Sequence, residues 1–384
     1  MGQLKQTVSQ YWNRIQSNLF PWLEEELPPL TEKQQQLVAI LEIVRIEQFL
    51  PYFCSGFRGR PEMSRQAIAR SFVAKAVYNI PTTVMLIDRL HSDISLRRIC
   101  GWERKSEIPS ESVFSRAFAE FTSSELPTKV HEALIKKLYV NEIVGHVITD
   151  STVIEAREKP VKKVKEINAE DKKPKNLGGR PKKGEEKPKE MTRIEKQTSG
   201  TMTLEEMIAD LPKQCDKAGK TNSKGHLHYW IGYKLHLTAD DHGIPLAGII
   251  SSASMHDSQA AIPLAKLTAQ RVDNFYDLMD SAYYAPGIIE HSKLLGHIPI
   301  IEQPAGRGEK EEKEQEKKAW KTLNLKPAEM ERYKIRTTIE RVMSRLKDEF
   351  GAIFVRVRGA AKVTTHLMFG VLALAADQFI KLVH

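Results

Sequence analysis

The sequence predicts an α/β fold, a mixed sheet flanked by helices, with an all-α region ahead of it. Three observations carry that reading. Apolar residues recur at helical spacing up to about residue 140, short β-type runs begin at Val144, and strands then alternate with helices. The order is strand, arm, two strands, then helix, strand, helix, strand, helix, which packs as one sheet with helices on its faces. The boundaries fall at 1–143 for the helical region and 144–384 for the α/β domain, with a basic, flexible arm interrupting the latter at 158–225.

In the helical region, Thr31-Glu32-Lys33-Gln34 has the form of a capping box and opens the run Leu37, Ile40, Leu41, Val44. Ser64 opens a second helix through Ile68, Phe72, Val73, Ala76 and Val77, which Pro81 ends. Short helices follow near 83–90 and 95–100. Another begins at Ser110 with Val113, Phe114, Ala117 and Phe118 on one face, and the last spans about 128–140.

In the second region, Val147-Ile148-Thr149-Asp150-Ser151 reads as a short strand. The tract Glu158–Lys196 then holds 14 basic and 8 acidic residues with few large apolar ones, so it reads as a solvated arm. Tyr229–Leu237 and Ile244–Ile250 form a hairpin around Asp241-His242-Gly243. A helix at about 258–270, a strand at 275–280, a helix from Pro286, a strand at 298–301 and helices at about 327–350 and 363–383 complete the chain.

Composition narrows the function. The 384 residues carry 58 Lys and Arg against 49 Asp and Glu, a net charge of +9, which favours a polyanionic partner. Hydrophobic residues at 41% exclude a disordered chain. Three scattered cysteines, Cys54, Cys100 and Cys215, give no zinc or disulfide framework and suit a reducing compartment. The apolar run Leu367–Ala376 is closed by Asp377, short of the roughly 20 residues of a spanning helix, and the N-terminus lacks a secretory pattern.

Two aspartates, Asp150 and Asp280, end predicted strands, where open α/β sheets gather ligands. A lone strand-end Asp serves equally as a cap or turn former. The helix predicted at 327–350 adds Tyr333, Arg336, Glu340 and Lys347. At about 100° per residue they share a stripe roughly 60° wide, beside the apolar side formed by Ile339, Val342, Met343 and Leu346. A salt-bridged surface stripe is the plainer alternative. Three carboxylates suit Mg²⁺, a hard ion held by carboxylate and phosphate oxygens. Two such ions about 3.5–4 Å apart support in-line attack on phosphorus, with Arg336 and Lys347 neutralising neighbouring phosphates. A general acid–base dyad leaves the basic stripe unexplained.

The segments ITDST around Asp150, LMDSAYY around Asp280 and Tyr333-x2-Arg336-x3-Glu340-x6-Lys347 resemble the bacterial insertion-sequence DDE transposases of the Y-R-E-K branch. The segment order matches the ribonuclease H-like core of that family. Gly232-Tyr233-Lys234-Leu235-His236 through Ser254-Met255-His256-Asp257-Ser258 is similar to its second and third strands and the His-Asp that follows. The resemblance covers about residues 57–384. It implies a metal-binding, catalytic triad of Asp150, Asp280 and Glu340, and a phosphate-contacting set of Tyr333, Arg336 and Lys347. It further implies two Mg²⁺ ions, with Mn²⁺ substituting, and double-stranded DNA, both element ends and target, as partner. A homodimer on DNA, a DNA-binding N-terminal region and a cytoplasmic, nucleoid-associated protein without a membrane partner are also expected. The 60-residue span from Asp280 to Glu340 leaves little room for the β insertion of some relatives.

Lesser signals complete the list. Gly179-Arg180-Pro181-Lys182-Lys183 reads as a minor-groove or sequence-independent DNA contact through Arg180, Lys182 and Lys183, and Arg58-Gly59-Arg60-Pro61 reads as a plain turn. Arg116 marks a weak recognition-helix candidate. His226, His228 and His236 alternate on a strand without a fourth zinc ligand. Two alternatives to a transposase stay open: a nuclease or resolvase of the same fold that cuts without joining, and a non-catalytic DNA-binding protein.

Overall fold

Caps and apolar spacing agree through the first region, and helices form where they do. The computed structural model describes residues 29–50, 63–160, 191–221, 225–303 and 328–383. Its N-terminal helices are α1 (Glu32–Val44), α2 (Arg65–Val77), α3 (Thr83–Ser92), α4 (Ile94–Ile99), α5 (Glu111–Ser123) and α6 (Leu126–Leu138). Thr31 caps α1 in a reciprocal box with Gln34, and Ser64, Thr82 and Asp93 cap the next three through the amides of Ala67, Met85 and Leu96.

The sheet comprises β1 (Ile143–Glu155), β2 (Asp216–Thr221), β3 (Leu227–Ala239), β4 (Pro245–Ser252), β5 (Asp273–Met279) and β6 (Ile298–Ile301). Across it the order is β4–β3–β1–β5–β6, with β2 paired to the first half of β3. β1, β5 and β6 are mutually parallel neighbours, while β3 is antiparallel to β1, β2 and β4. This mixed, open sheet with helices on both faces is the ribonuclease H-like arrangement.

Register decides which side chains meet which layer. Ile148, Asp150, Leu237 and Leu278 share one face, covered by α12 (Thr337–Asp348) and α13 (Ala360–Val383). Thr149, Met279, His236 and Ile249 point the other way, toward α9 (Ser258–Ala269) and α10 (Pro286–Leu294).

Helix α13 is long and apolar enough to cross a membrane by length and composition, yet two thirds of its most apolar stretch is buried inside the fold. Leu367, Val371, Leu372, Leu374 and Ala375 pack among α1, α2, α5, α6 and β4, and Phe369 lies 5.6 Å from Phe72 between ring centroids. One core therefore runs from the N-terminal helices into the sheet. Buried Arg271 reinforces the join, donating to the Leu246 carbonyl at 2.7 Å beside His131, whose Nε2 lies 2.9 Å from the Pro245 carbonyl. Burial, then the neighbouring guanidinium, pushes the His131 imidazole down to about 3, so it stays neutral.

Gly370 sits where α13 crosses the end of α12. A Cβ there would stand 2.6 Å from the Phe350 carbonyl oxygen. Gly370→Ala should therefore destabilise the fold by about 1–3 kcal/mol despite alanine's better helix propensity, read as a lower urea midpoint. An unchanged or higher midpoint would show that α12 and α13 separate freely.

Two expectations need correction. Residues 191–221, expected within the flexible arm, instead form α7 (Arg193–Thr198), α8 (Leu204–Asp210) and β2. Capping boxes at Thr192/Glu195 and Thr203/Glu206 start the helices, and Met207 and Leu211 are buried against the α9 side of the sheet. These few apolar anchors lie beyond the charged tract Glu158–Lys196 and order the chain after it. Residues 161–190, which include Arg180, Lys182 and Lys183, lie outside the described residues, as does Arg58-Gly59-Arg60-Pro61. Likewise β1 does not end at its aspartate but continues to Glu155, because antiparallel pairing with β3 extends as far as Glu155 opposite Gly232.

Candidate active site

The parallel ladder between β1 and β5 ends at Thr149 opposite Met279. The next residue on each strand is an aspartate, so Asp150 and Asp280 emerge side by side where the two backbones part. Asp150 accepts the Ser151 amide at 2.7 Å, and Asp280 caps the turn Ser281–Tyr283 through the Ala282 amide at 3.0 Å. Burial, with a contribution from Asp280, pushes the Asp150 carboxyl up to about 6 against the pull of the Ser151 amide and Arg336. Burial likewise raises Asp280, aided by Asp257.

The helix expected over 327–350 is two helices, α11 (Ala328–Lys334) and α12. Amides of Ile335, Arg336, Thr338 and Ile339 each bond three residues back rather than four, a tighter winding that breaks the even stripe. Arg336 consequently stands at the head of α12 with Glu340 one turn on. Its Nη2 donates to Glu340 Oε1 at 2.8 Å, and its Nη1 lies 3.5 Å from Asp150 Oδ2. Burial would lower the Arg336 pKa, but Tyr333, Asp150, Glu340 and Asp280 together raise it, keeping the guanidinium charged. The Tyr333 ring lies 5.7 Å from the guanidinium carbon, and its hydroxyl donates to Glu302 at 3.4 Å.

Of the residues singled out in the sequence, Asp150, Asp280, Tyr333, Arg336 and Glu340 thus gather, with Arg336 as the hub. Lys347 stands apart, two turns along α12. Burial lowers its pKa, opposed by Glu155 and Asp348 and assisted by Lys220. Lys220 of β2 is a residue the sequence reading passed over. It exerts its charge on Asp150, Asp280 and Lys347 alike, so a basic rim borders the aspartates. Behind them Lys234 donates to Asp257 at 2.9 Å and to the Met255 carbonyl at 2.8 Å, in the two segments that the resemblance had flagged. Burial raises Asp257, but Lys234, His236 and Ser151 bring it below its ordinary value. Of the strand histidines, His236 is buried with Nε2 2.7 Å from the Ser251 hydroxyl.

Asp150, Asp280 and Glu340 offer carboxylate oxygens, the donor type that magnesium takes, and Asp150 and Asp280 follow the paired ends of two neighbouring strands. Those two fit a hard divalent ion. Among the described residues no group of three or more His, Cys, Asp or Glu is drawn together closely enough to hold a metal. Glu340 and Asp150 are turned to Arg336.

The ribonuclease H-like sheet thus carries two aspartates where its parallel strands part and a glutamate on the helix beside them. Residues 145–376 match the family model of the transposase DDE domain, and residues 23–120 match that of a transposase domain (DUF772). The first match alone spans more than half of the chain, which therefore belongs to the DDE transposases of insertion sequences. Enzymes of this family work on DNA with divalent metal ions. No curated protein and no solved structure matches the chain.

Proposed function

We propose that this transposase binds the ends of its element, hydrolyses one strand in a Mg²⁺-dependent step, and transfers the freed 3′-hydroxyl to target DNA. The observation that supports this most is the gathering of Asp150, Asp280 and Glu340, from two strands and a helix, around the single guanidinium of Arg336. A binding protein has no use for Asp150 and Asp280 as two adjacent half-buried carboxylates, which cost stability.

In this reading Asp150, Asp280 and Glu340 would hold two Mg²⁺ ions, for which Mn²⁺ would substitute. The ions would supply Lewis-acid polarisation of the phosphate and a more acidic water. Arg336 and Tyr333 fix the phosphate next to the scissile one, the guanidinium by paired hydrogen bonds and the phenol by one. Lys347 and Lys220 hold the strand as it leaves. Water attacks phosphorus and the bond to the 3′-oxygen breaks; that oxygen later attacks a target phosphorus, expelling another 3′-oxygen, so phosphodiester bonds are conserved in the joining step. Two ends must meet, so the working form is a homodimer on DNA, acting in the cytoplasm on nucleoid DNA. The N-terminal helices supply end recognition, with Arg180, Lys182 and Lys183 adding sequence-independent contact. The Y-R-E-K branch is the one this residue set fits.

The test is cleavage of a linear duplex carrying the element end and its flank. Nicking at one defined position with Mg²⁺, and none with chelator, is expected; scattered nicking rejects end-specific hydrolysis. A separate prediction concerns Lys347→Ala, which should weaken end binding and reduce the slope of log K against log salt by about 1. An unchanged slope in fluorescence anisotropy titrations would remove Lys347 from the phosphate contacts.

A further inference from the structure

We infer that Arg336 is an internal counter-ion that holds the divalent ion out of the site until DNA arrives. This rests on the metal-binding reading of Asp150, Asp280 and Glu340. The resemblance gives Arg336 a single duty, toward phosphate. Its position gives it another.

The guanidinium donates to Glu340 at 2.8 Å and approaches Asp150 at 3.5 Å, and its charge also bears on Asp280. It is 22% exposed, whereas Glu340 is 55% exposed and would otherwise be free to swing. Glu340 Oε1 and Asp150 Oδ2, two of the carboxylate oxygens that a metal would use, are thus engaged by Arg336, and among the described residues no three ligands converge. A magnesium ion needs oxygens at about 2.0–2.1 Å in near-octahedral array. A guanidinium hydrogen-bonded to Glu340 and ion-paired with Asp150 opposes that arrangement by charge and by space. It cannot step aside by losing its proton, because a guanidinium stays charged in proteins.

Metal entry therefore requires Arg336 to change partners. A phosphodiester offers it paired oxygens of the geometry that a carboxylate offers. DNA that takes Arg336 away leaves Asp150 and Glu340 with surplus negative charge, which a divalent cation then neutralises. Metal and DNA binding are coupled by this exchange, and the coupling is reciprocal. The free protein consequently holds metal poorly and is protected from hydrolysing phosphodiesters that it has not gripped.

The test is Mn²⁺ binding to the full chain, measured as free Mn²⁺ by electron paramagnetic resonance, with no turnover involved. Wild type, Arg336→Gln and Arg336→Lys are each titrated alone and with a short duplex of the element end. Without DNA, R336Q should bind Mn²⁺ at least about fivefold more tightly than wild type, while R336K, which keeps the charge, stays near wild type. The duplex should tighten Mn²⁺ binding to wild type at least about fivefold, and to R336Q by less. A misfolded variant binds more weakly, so it cannot mimic the gain. Equal affinity of wild type and R336Q without DNA overturns the inference, as does a wild-type affinity indifferent to DNA. Absence of Mn²⁺ binding in every protein, with and without duplex, overturns the metal-site reading along with it.

Discussion

Asp150→Asn is expected to make the free protein more stable at neutral pH. Burial raises the folded-state pKa of this carboxyl to about 6 from an ordinary value of 3.8. The folded protein then binds the proton more tightly than the unfolded chain, so stability from this group falls as pH rises from about 3.8 through about 6. Above that window the ionised, 19% exposed carboxylate costs about 3 kcal/mol by the shift alone. An asparagine keeps an acceptor for the Ser151 amide but surrenders the contact with Arg336, leaving a net gain of about 1–3 kcal/mol. Chemical unfolding at pH 8 should show the gain, and at pH 4 it should nearly vanish. A variant less stable than wild type at pH 8 would mean that Asp150 is held for the fold and not for chemistry. A stabilising loss-of-function change is what a strained functional site predicts.

Glu340→Gln should slow strand cleavage severely with little effect on the fold. Glu340 is exposed, and its described polar contact is with Arg336 of its own helix, so an amide of the same shape leaves the core untouched. The catalytic loss should be large. Stabilisation of transition-state charge worth several kcal/mol corresponds to a rate loss of about 100- to 1000-fold. Single-turnover nicking with wild type and variant at matched end occupancy measures it. Equal rates would remove Glu340 from the reacting set and leave Asp150 and Asp280 without their third member.

Much of this architecture is legible in the residues. Thr31 with Gln34 and Ser64 before Ile68 announce helices where they occur, since a cap and an apolar period are local signals. The two aspartates were legible as strand-end residues, although for β1 the reason differs: Asp150 lies within a strand of 13 residues and marks the end of only its parallel pairing. Strand length is set by the partner β3, which no local pattern reports. The break between α11 and α12 was not legible either, because Lys334-Ile335-Arg336 contains no Gly or Pro. Its weak signal is the run Thr337-Thr338-Ile339, whose branched side chains resist regular winding. Tertiary pull then decides, as Ile339, Val342 and Leu346 bury against the sheet while Arg336 turns to the carboxylates. Lys220 stayed hidden for a third reason. It sits beyond a charge-rich tract, and its meaning comes from β2 pairing with β3 beside the site.

The proposed function requires the site to join DNA as well as cut it. The most direct measurement offers the protein a pre-cut element end with a free 3′-hydroxyl, a supercoiled target plasmid and Mg²⁺, and looks for covalently joined product. Joining that depends on the 3′-hydroxyl and is lost in Glu340→Gln is the predicted result. Plasmid nicking without any joined product, at ends the protein demonstrably binds, would contradict the account and leave a nuclease of the same fold.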